Sequence, residues 1–187
     1  MSPGPSFAIV AKHSLAGGRW HGLATSWAHA FGIGVYATIA LFGLTVVMQQ
    51  QPTVFRIITV LGALYLGYLG WGALTAKSGI VAALKSGQAV SVAQAAKEGA
   101  LISLLSPKIM LFFVALFSPL ISPDHSQATQ LITVATPFVV DGLWYTLLTF
   151  MLSSAFFFER LRRHAAIIDR ASGVLLIGLA IYTLINV

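Results

Sequence analysis

Long apolar runs separated by short polar stretches, which hold nearly all of the charge, set the pattern of this chain. Trp20 to Met48 is an uncharged apolar run whose imidazoles are His21 and His29. Val54 to Thr75, Gly99 to about Ile121, Leu131 to Phe158 and Ala171 to Val187 are the others. About 20 apolar residues rising 1.5 Å each cross a bilayer core, so each run predicts a transmembrane helix. Met1 to Ala11 is too short for that. It reads as the second half of a helix broken at Pro3-Gly4-Pro5, with its first half missing from this sequence. Between the runs the pattern predicts a loop at Ser14 to Arg19, punctuated by Gly17 and Gly18, and a polar hairpin at Gln49 to Pro52. It also predicts a long hydrophilic connection at 76–98 with a short surface helix at Val92 to Lys97, a compact turn at Ser122 to Ser126, and a charged loop at Glu159 to His164 closed by Asp169-Arg170.

The run from Leu101 to Leu120 departs from the others, because Ser106-Pro107-Lys108 interrupts it. Pro107 removes a backbone donor and frees the carbonyl one turn earlier, which then needs a neighbouring helix, Ser106 or water. Lys108 needs an anion, a carbonyl or water, since an ammonium at mid-membrane costs about 3 kcal/mol even on insertion scales. A broken span with a cation at the break faces the protein interior and marks a functional site.

Composition agrees with the pattern. Of 187 residues, 57% are hydrophobic and 9% are charged, against about 25% charged in a soluble domain, which makes this an all-α integral membrane protein. The net charge of +6 does not point to nucleic acid, because the basic residues fall in alternate connections. Lys12 and Arg19, then Lys77, Lys85 and Lys97, then Arg160, Arg162, Arg163 and Arg170 lie on one side, and Arg56 alone on the other. The positive-inside rule puts the first group in the cytoplasm and, given a complete first span, both termini outside. The chain has no cysteine, which excludes disulfides, thiol catalysis and cysteine metal sites, and its N-terminus shows no cleavable signal peptide. The five histidines are scattered without ligand spacing, so neither a metal nor a cofactor is expected, and no enzyme chemistry.

The two halves resemble each other. Ser2-Pro3-Gly4 and Ser106-Pro107-Lys108 each break the first span of a half, and the third spans carry Gly62 to Gly67 and Gly173 to Gly178. Three spans per half is an odd number, so the second copy inserts inverted. The expectation is a six-span bundle of two inverted three-helix repeats, 1–75 and 99–187, around a cytoplasmic loop at 76–98, with the first span truncated. Inverted repeats with broken helices at matching positions are the architecture of secondary transporters.

Taken in order, Pro3-Gly4-Pro5, Ser14-Leu15 with Gly17-Gly18-Arg19 and Gly22, Gly62 through Trp71, and Ser106-Pro107-Lys108 resemble the LysE family of amino-acid exporters, nearer its homoserine/threonine branch. The resemblance covers nearly the whole chain. Where the family usually has Asn-Pro-Lys, this chain has Ser106-Pro107-Lys108. Family members also carry an apolar stretch of about 15 to 20 residues before the Pro-Gly-Pro element, enough for a half-span, so Met1 reads as an internal methionine. The resemblance implies a multi-pass protein of the bacterial cytoplasmic membrane that exports amino acids or close analogues by proton antiport.

A zwitterionic substrate needs partners of both signs. Asp141 is expected to bind the substrate ammonium or a proton, and Lys108 or a half-helix N-terminus at Ser106-Pro107 or Pro3-Gly4-Pro5 to receive the carboxylate. Alternating contact with Lys108 would make Asp141 a proton carrier. The competing reading of that pair is structural, holding two spans together. His29, a single imidazole among Ala and Gly, reads as a packing residue or as a proton relay. Spacing such as Gly18 to Gly22 permits contacts between copies. The alternative to an exporter is a non-transporting structural or regulatory subunit, or an inactive truncated product.

Overall fold

A computed structural model describes residues 5–75, 89–121, 126–152 and 155–186, and all regular structure among them is helical. The helices are α1 (Pro5–Gly17), α2 (Arg19–Gln50), α3 (Pro52–Thr75), α4 (Val92–Leu104), α5 (Pro107–Phe117, continued by a 3₁₀ turn at Ser118–Leu120), α6 (Gln127–Leu152) and α7 (Ala155–Ile185). Three of them, α2, α3 and α6, are each long and apolar enough to cross a membrane. The pair α4 and α5 makes a fourth if taken as one span bent by 55°.

Several boundaries differ from the sequence pattern. The loop expected at Ser14 to Arg19 shrinks to Gly18, because α1 runs past Lys12 and His13 to Gly17 and α2 starts at Arg19. Gly18 has φ +82° and ψ −169°, a region that is essentially glycine's alone and costs other residues about 1–3 kcal/mol. A Cβ there would meet nothing within 4 Å, so Gly18→Ala carries the conformational cost alone. It is expected to lower stability by about 1 kcal/mol, read as a fall of a few degrees in the melting temperature of the detergent-solubilised protein.

The surface helix expected at Val92 to Lys97 is the first half of the broken span, and it continues unbroken to Leu104. Ser91 starts it by accepting a hydrogen bond from the Gln94 amide at 3.2 Å. The charged loop expected at Glu159 to Arg170 is helical and belongs to α7. Charge does not end a helix whose backbone bonds are internal, and 31 residues at 1.5 Å rise reach about 46 Å, longer than a hydrocarbon core. The rest of the 76–98 connection up to residue 88, the turn at 122–125 and Pro3-Gly4 lie outside the described residues.

Buried apolar side chains join the helices in three places. Phe7, Val10 and Ala11 of α1 meet Tyr145, Leu148 and Leu152 of α6. Ile33, Ala37, Leu41 and Leu44 of α2 meet Phe113 and Phe117 of α5. Leu66 of α3, Ala115 of α5 and Ala180 of α7 form the third cluster. Glycine sets the closest crossings. A Cβ on Gly62 would lie 2.8 Å from the Ala115 Cα, and one on Gly70 would lie 2.8 Å from the Gly173 carbonyl oxygen. The outer surface is apolar too, with Leu131, Leu175, Tyr68 and Trp71 all exposed, an arrangement that lipid tolerates and water does not.

Candidate functional site

α2 is the central helix, packed against α4 on one side and α6 on another. Its buried stripe toward them, Gly22, Thr25, Ser26, His29, Gly32 and Ile33, recurs every three or four residues and is small or polar rather than bulky. α6 presents Asp141, Gly142, Tyr145, Leu148, Thr149 and Leu152 at the same spacing. Gly142 makes the approach possible, since a Cβ there would lie 2.8 Å from the Trp27 ring.

Within this contact the His29 Nδ1 lies 2.8 Å from the Asp141 Oδ2, and each side chain is 2% exposed. When Asp141 is ionised its oxygen can only accept, and Nδ1 is then the donor. The Tyr145 ring stands edge-on to the imidazole, centroids 5.2 Å apart, and limits its rotation. Two atoms of the pair, Asp141 Oδ1 and His29 Nε2, are buried with no hydrogen-bond partner among the described residues. An unpaired buried polar atom costs about 1–3 kcal/mol, more if charged, so the pair offers two strong open positions to a cation or a proton. For an ammonium group, Oδ1 and an unprotonated Nε2 are both acceptors.

The sequence pattern set Asp141 against Lys108, and the structure sets it against His29 instead. Lys108 is exposed and has no carboxylate partner among the described residues. The helix geometry explains this: Lys108 falls on the side of α5 opposite to Phe113 and Phe117, which pack into the core. Ser106 caps α5 by accepting from the Ile109 amide at 3.4 Å, and Pro107 occupies the first turn, where it has no intrahelical bond to lose. The loose carbonyl end of α4 finds a partner that sequence did not reveal, the Tyr36 hydroxyl of α2, which donates to the Leu104 oxygen at 2.5 Å. Pro5 begins α1.

At the end of α2 nearest Arg19 a second polar group forms. Glu98 of α4 receives Lys12 Nζ at 2.8 Å and His13 Nε2 at 3.0 Å from α1, and Gln94 Nε2 at 3.2 Å from its own helix. Nearby, His21 Nε2 lies 2.7 Å from the Val90 oxygen.

The model of the LysE type translocators matches residues 1–187 of this chain. The chain belongs to that family. Among curated proteins, the uncharacterized membrane protein YrhP of Bacillus subtilis is 28% identical over 97% of this chain and 90% of its own length. The threonine efflux proteins of Escherichia coli K12 and of Salmonella typhimurium are each 27% identical over 100% of this chain and 92% of theirs. No solved structure matches it.

As a member of the LysE type translocators the protein is a membrane transport protein. The translocator's buried polar contacts between α2 and α6 include Ser26, Tyr145 and Thr149, none of which the sequence singled out. The signal for them is the recurrence of small and polar residues at helical spacing, Gly22, Ser26, His29 on one helix and Asp141, Tyr145, Thr149 on the other.

Proposed function

We propose that this translocator exports a neutral amino acid of the homoserine or threonine type, or a close analogue, from the bacterial cytoplasm across the inner membrane in exchange for protons, with His29 and Asp141 as its centre. The observation that carries the reading is a buried acid and imidazole 2.8 Å apart between two membrane-capable helices, with one acceptor on each left open. Support for the substrate class comes from relatives named threonine efflux proteins that align over the whole chain. In this reading the bundle has six spans in two inverted repeats of three.

The substrate ammonium and a proton compete for the pair. With Asp141 ionised, its Oδ1 and the imidazole Nε2 accept the ammonium. With a proton bound, the pair loses its attraction for that cation and releases the substrate outward. The substrate carboxylate goes to a half-helix N-terminus, that of α5 at Ser106-Pro107 or that of α1 at Pro3-Gly4-Pro5.

The test is export from cells fed dipeptides of neutral amino acids, with the free amino acids appearing outside followed over time. One of them, threonine or homoserine first, is expected to leave several-fold faster than from cells lacking the protein, and an uncoupler should remove the difference. Equal rates for every amino acid, with the protein present in the membrane, would overturn the reading.

A further inference from the structure

About one turn of α2 beyond the His29–Asp141 pair, on the side of the Glu98 group, three buried hydroxyls meet. Ser26 lies on α2 one turn before His29, about 4.5 Å along the axis, and Thr149 lies two turns after Asp141 on α6. The Ser26 and Thr149 hydroxyls are 3.4 Å apart, and the Ser14 hydroxyl of α1 donates to Thr149 at 3.3 Å. All three side chains are at most 5% exposed. Ser14 follows His13, which is 1% exposed and bonded to Glu98. A Cβ on Gly22 would collide with the Ser14 hydroxyl and with Thr149, so glycine there is what allows the three hydroxyls to meet. Thr146, one turn before Thr149, adds a buried hydroxyl with no partner among the described residues.

We propose that Ser26, Thr149 and Ser14 form the route by which protons pass between the His29–Asp141 pair and the cytoplasm, with the His13–Glu98 pair as its cytoplasmic end. The inference rests on the proposed function. At rest Ser26 donates to the Gly22 oxygen at 2.7 Å and Ser14 donates to Thr149, so each hydroxyl must turn to accept a proton from the side of the pair and pass its own on toward His13 or Glu98, which leaves no net charge on the route. The ionisable groups facing the route are Tyr145 from α6, Lys12 and His13 from α1, His21 from α2 and Glu98 from α4. Lys12 and Arg19 place this end on the cytoplasmic side by the positive-inside rule, and the Arg19 guanidinium sits 5.7 Å from the centre of the Phe150 ring, next to Thr149. The direction fits an exporter: an inward-moving proton must leave the central pair toward the cytoplasm.

The experiment uses the purified full chain in liposomes and two assays on the amino acid the export panel selects, with threonine as the first probe. One assay follows accumulation driven by an imposed proton gradient. The other follows exchange of labelled for unlabelled amino acid, which needs no net proton movement. Ser26→Ala and Thr149→Val are expected to exchange at the wild-type rate while losing roughly tenfold in driven accumulation, and Thr149→Ser to regain it. Driven accumulation at the wild-type rate in both variants, with Asp141→Asn inactive, would overturn the route and leave the central site standing. Exchange falling in step with accumulation in both variants would also overturn it, because the hydroxyls would then be holding the helices and not carrying protons. Full driven accumulation in Asp141→Asn would remove the site reading and the route together.

Discussion

Asp141→Asn is expected to reduce proton-driven export by at least about a hundredfold while leaving the amount of protein in the membrane close to wild type. Asparagine has the shape of aspartate and keeps an oxygen that can accept the His29 Nδ1 proton at the observed 2.8 Å, so the contact between α2 and α6 survives. What disappears is the charge. The amide can neither take up a proton nor hold an ammonium by ionic attraction, and a hundredfold loss corresponds to about 2.7 kcal/mol, within reach of a hydrogen bond to a charged group. Asp141→Ala is the contrasting variant, since it leaves the imidazole buried without its partner and is expected to lower abundance as well. The measurements are driven export and membrane abundance in the same cells. Unchanged export in Asp141→Asn would remove the central pair from the mechanism.

The second large effect concerns the crossing of α3 and α7. A Cβ on Gly70 would lie 2.8 Å from the Gly173 oxygen, and a Cβ on Gly173 would lie 2.7 Å from the Gly70 oxygen. Both obstacles are backbone, so no side chain can turn aside to make room. Gly70→Val is therefore expected to destabilise the protein by about 3 kcal/mol, the upper end of overpacking costs, and to lower its melting temperature in detergent by roughly 6–12 °C. Gly178→Ala provides the control. Nothing lies within 4 Å of a Cβ there, so it should be neutral or slightly stabilising. A Gly70→Val protein that melts with wild type would mean that α3 and α7 are not packed so closely.

The difference between what the pattern gave and what it withheld follows from the range of the forces. Apolar runs are local, so the cores of α2, α3 and α6 and the break at Ser106-Pro107 are readable in the chain. Helix ends are less so. Lys12 and His13 look like a boundary, yet α1 continues through them because Glu98, 85 or more residues away, receives both. The charges at Glu159 to Arg170 also look like a loop, but a helix's backbone bonds are internal and do not depend on which side chains it carries there. The partner of Asp141 depends on which faces of which helices meet. Lys108 is near in sequence and opposite in charge, whereas His29 is 112 residues distant and can be neutral. The glycines show the same limit: Gly62 and Gly173 hold matching places in the two stretches, but Gly62 meets the backbone of Ala115 on α5 and Gly173 that of Gly70 on α3.

Gly18 also fixes how α1 can move. A corner one residue long has two soft dihedrals, so any rigid rotation of α1 on α2 would pivot there. The arm from Gly18 to Pro5 is 13 residues, about 20 Å, and a swing of about 10° carries its far end some ~3 Å but moves Lys12 and His13, less than halfway along, only about 1–1.5 Å. The contacts of Lys12 and His13 with Glu98 thus lie near the fulcrum, while Phe7, against Tyr145 and Leu148, lies where the same rotation would be largest. In such a rotation leverage would concentrate the displacement of α1 beside the aromatic ring that packs on His29.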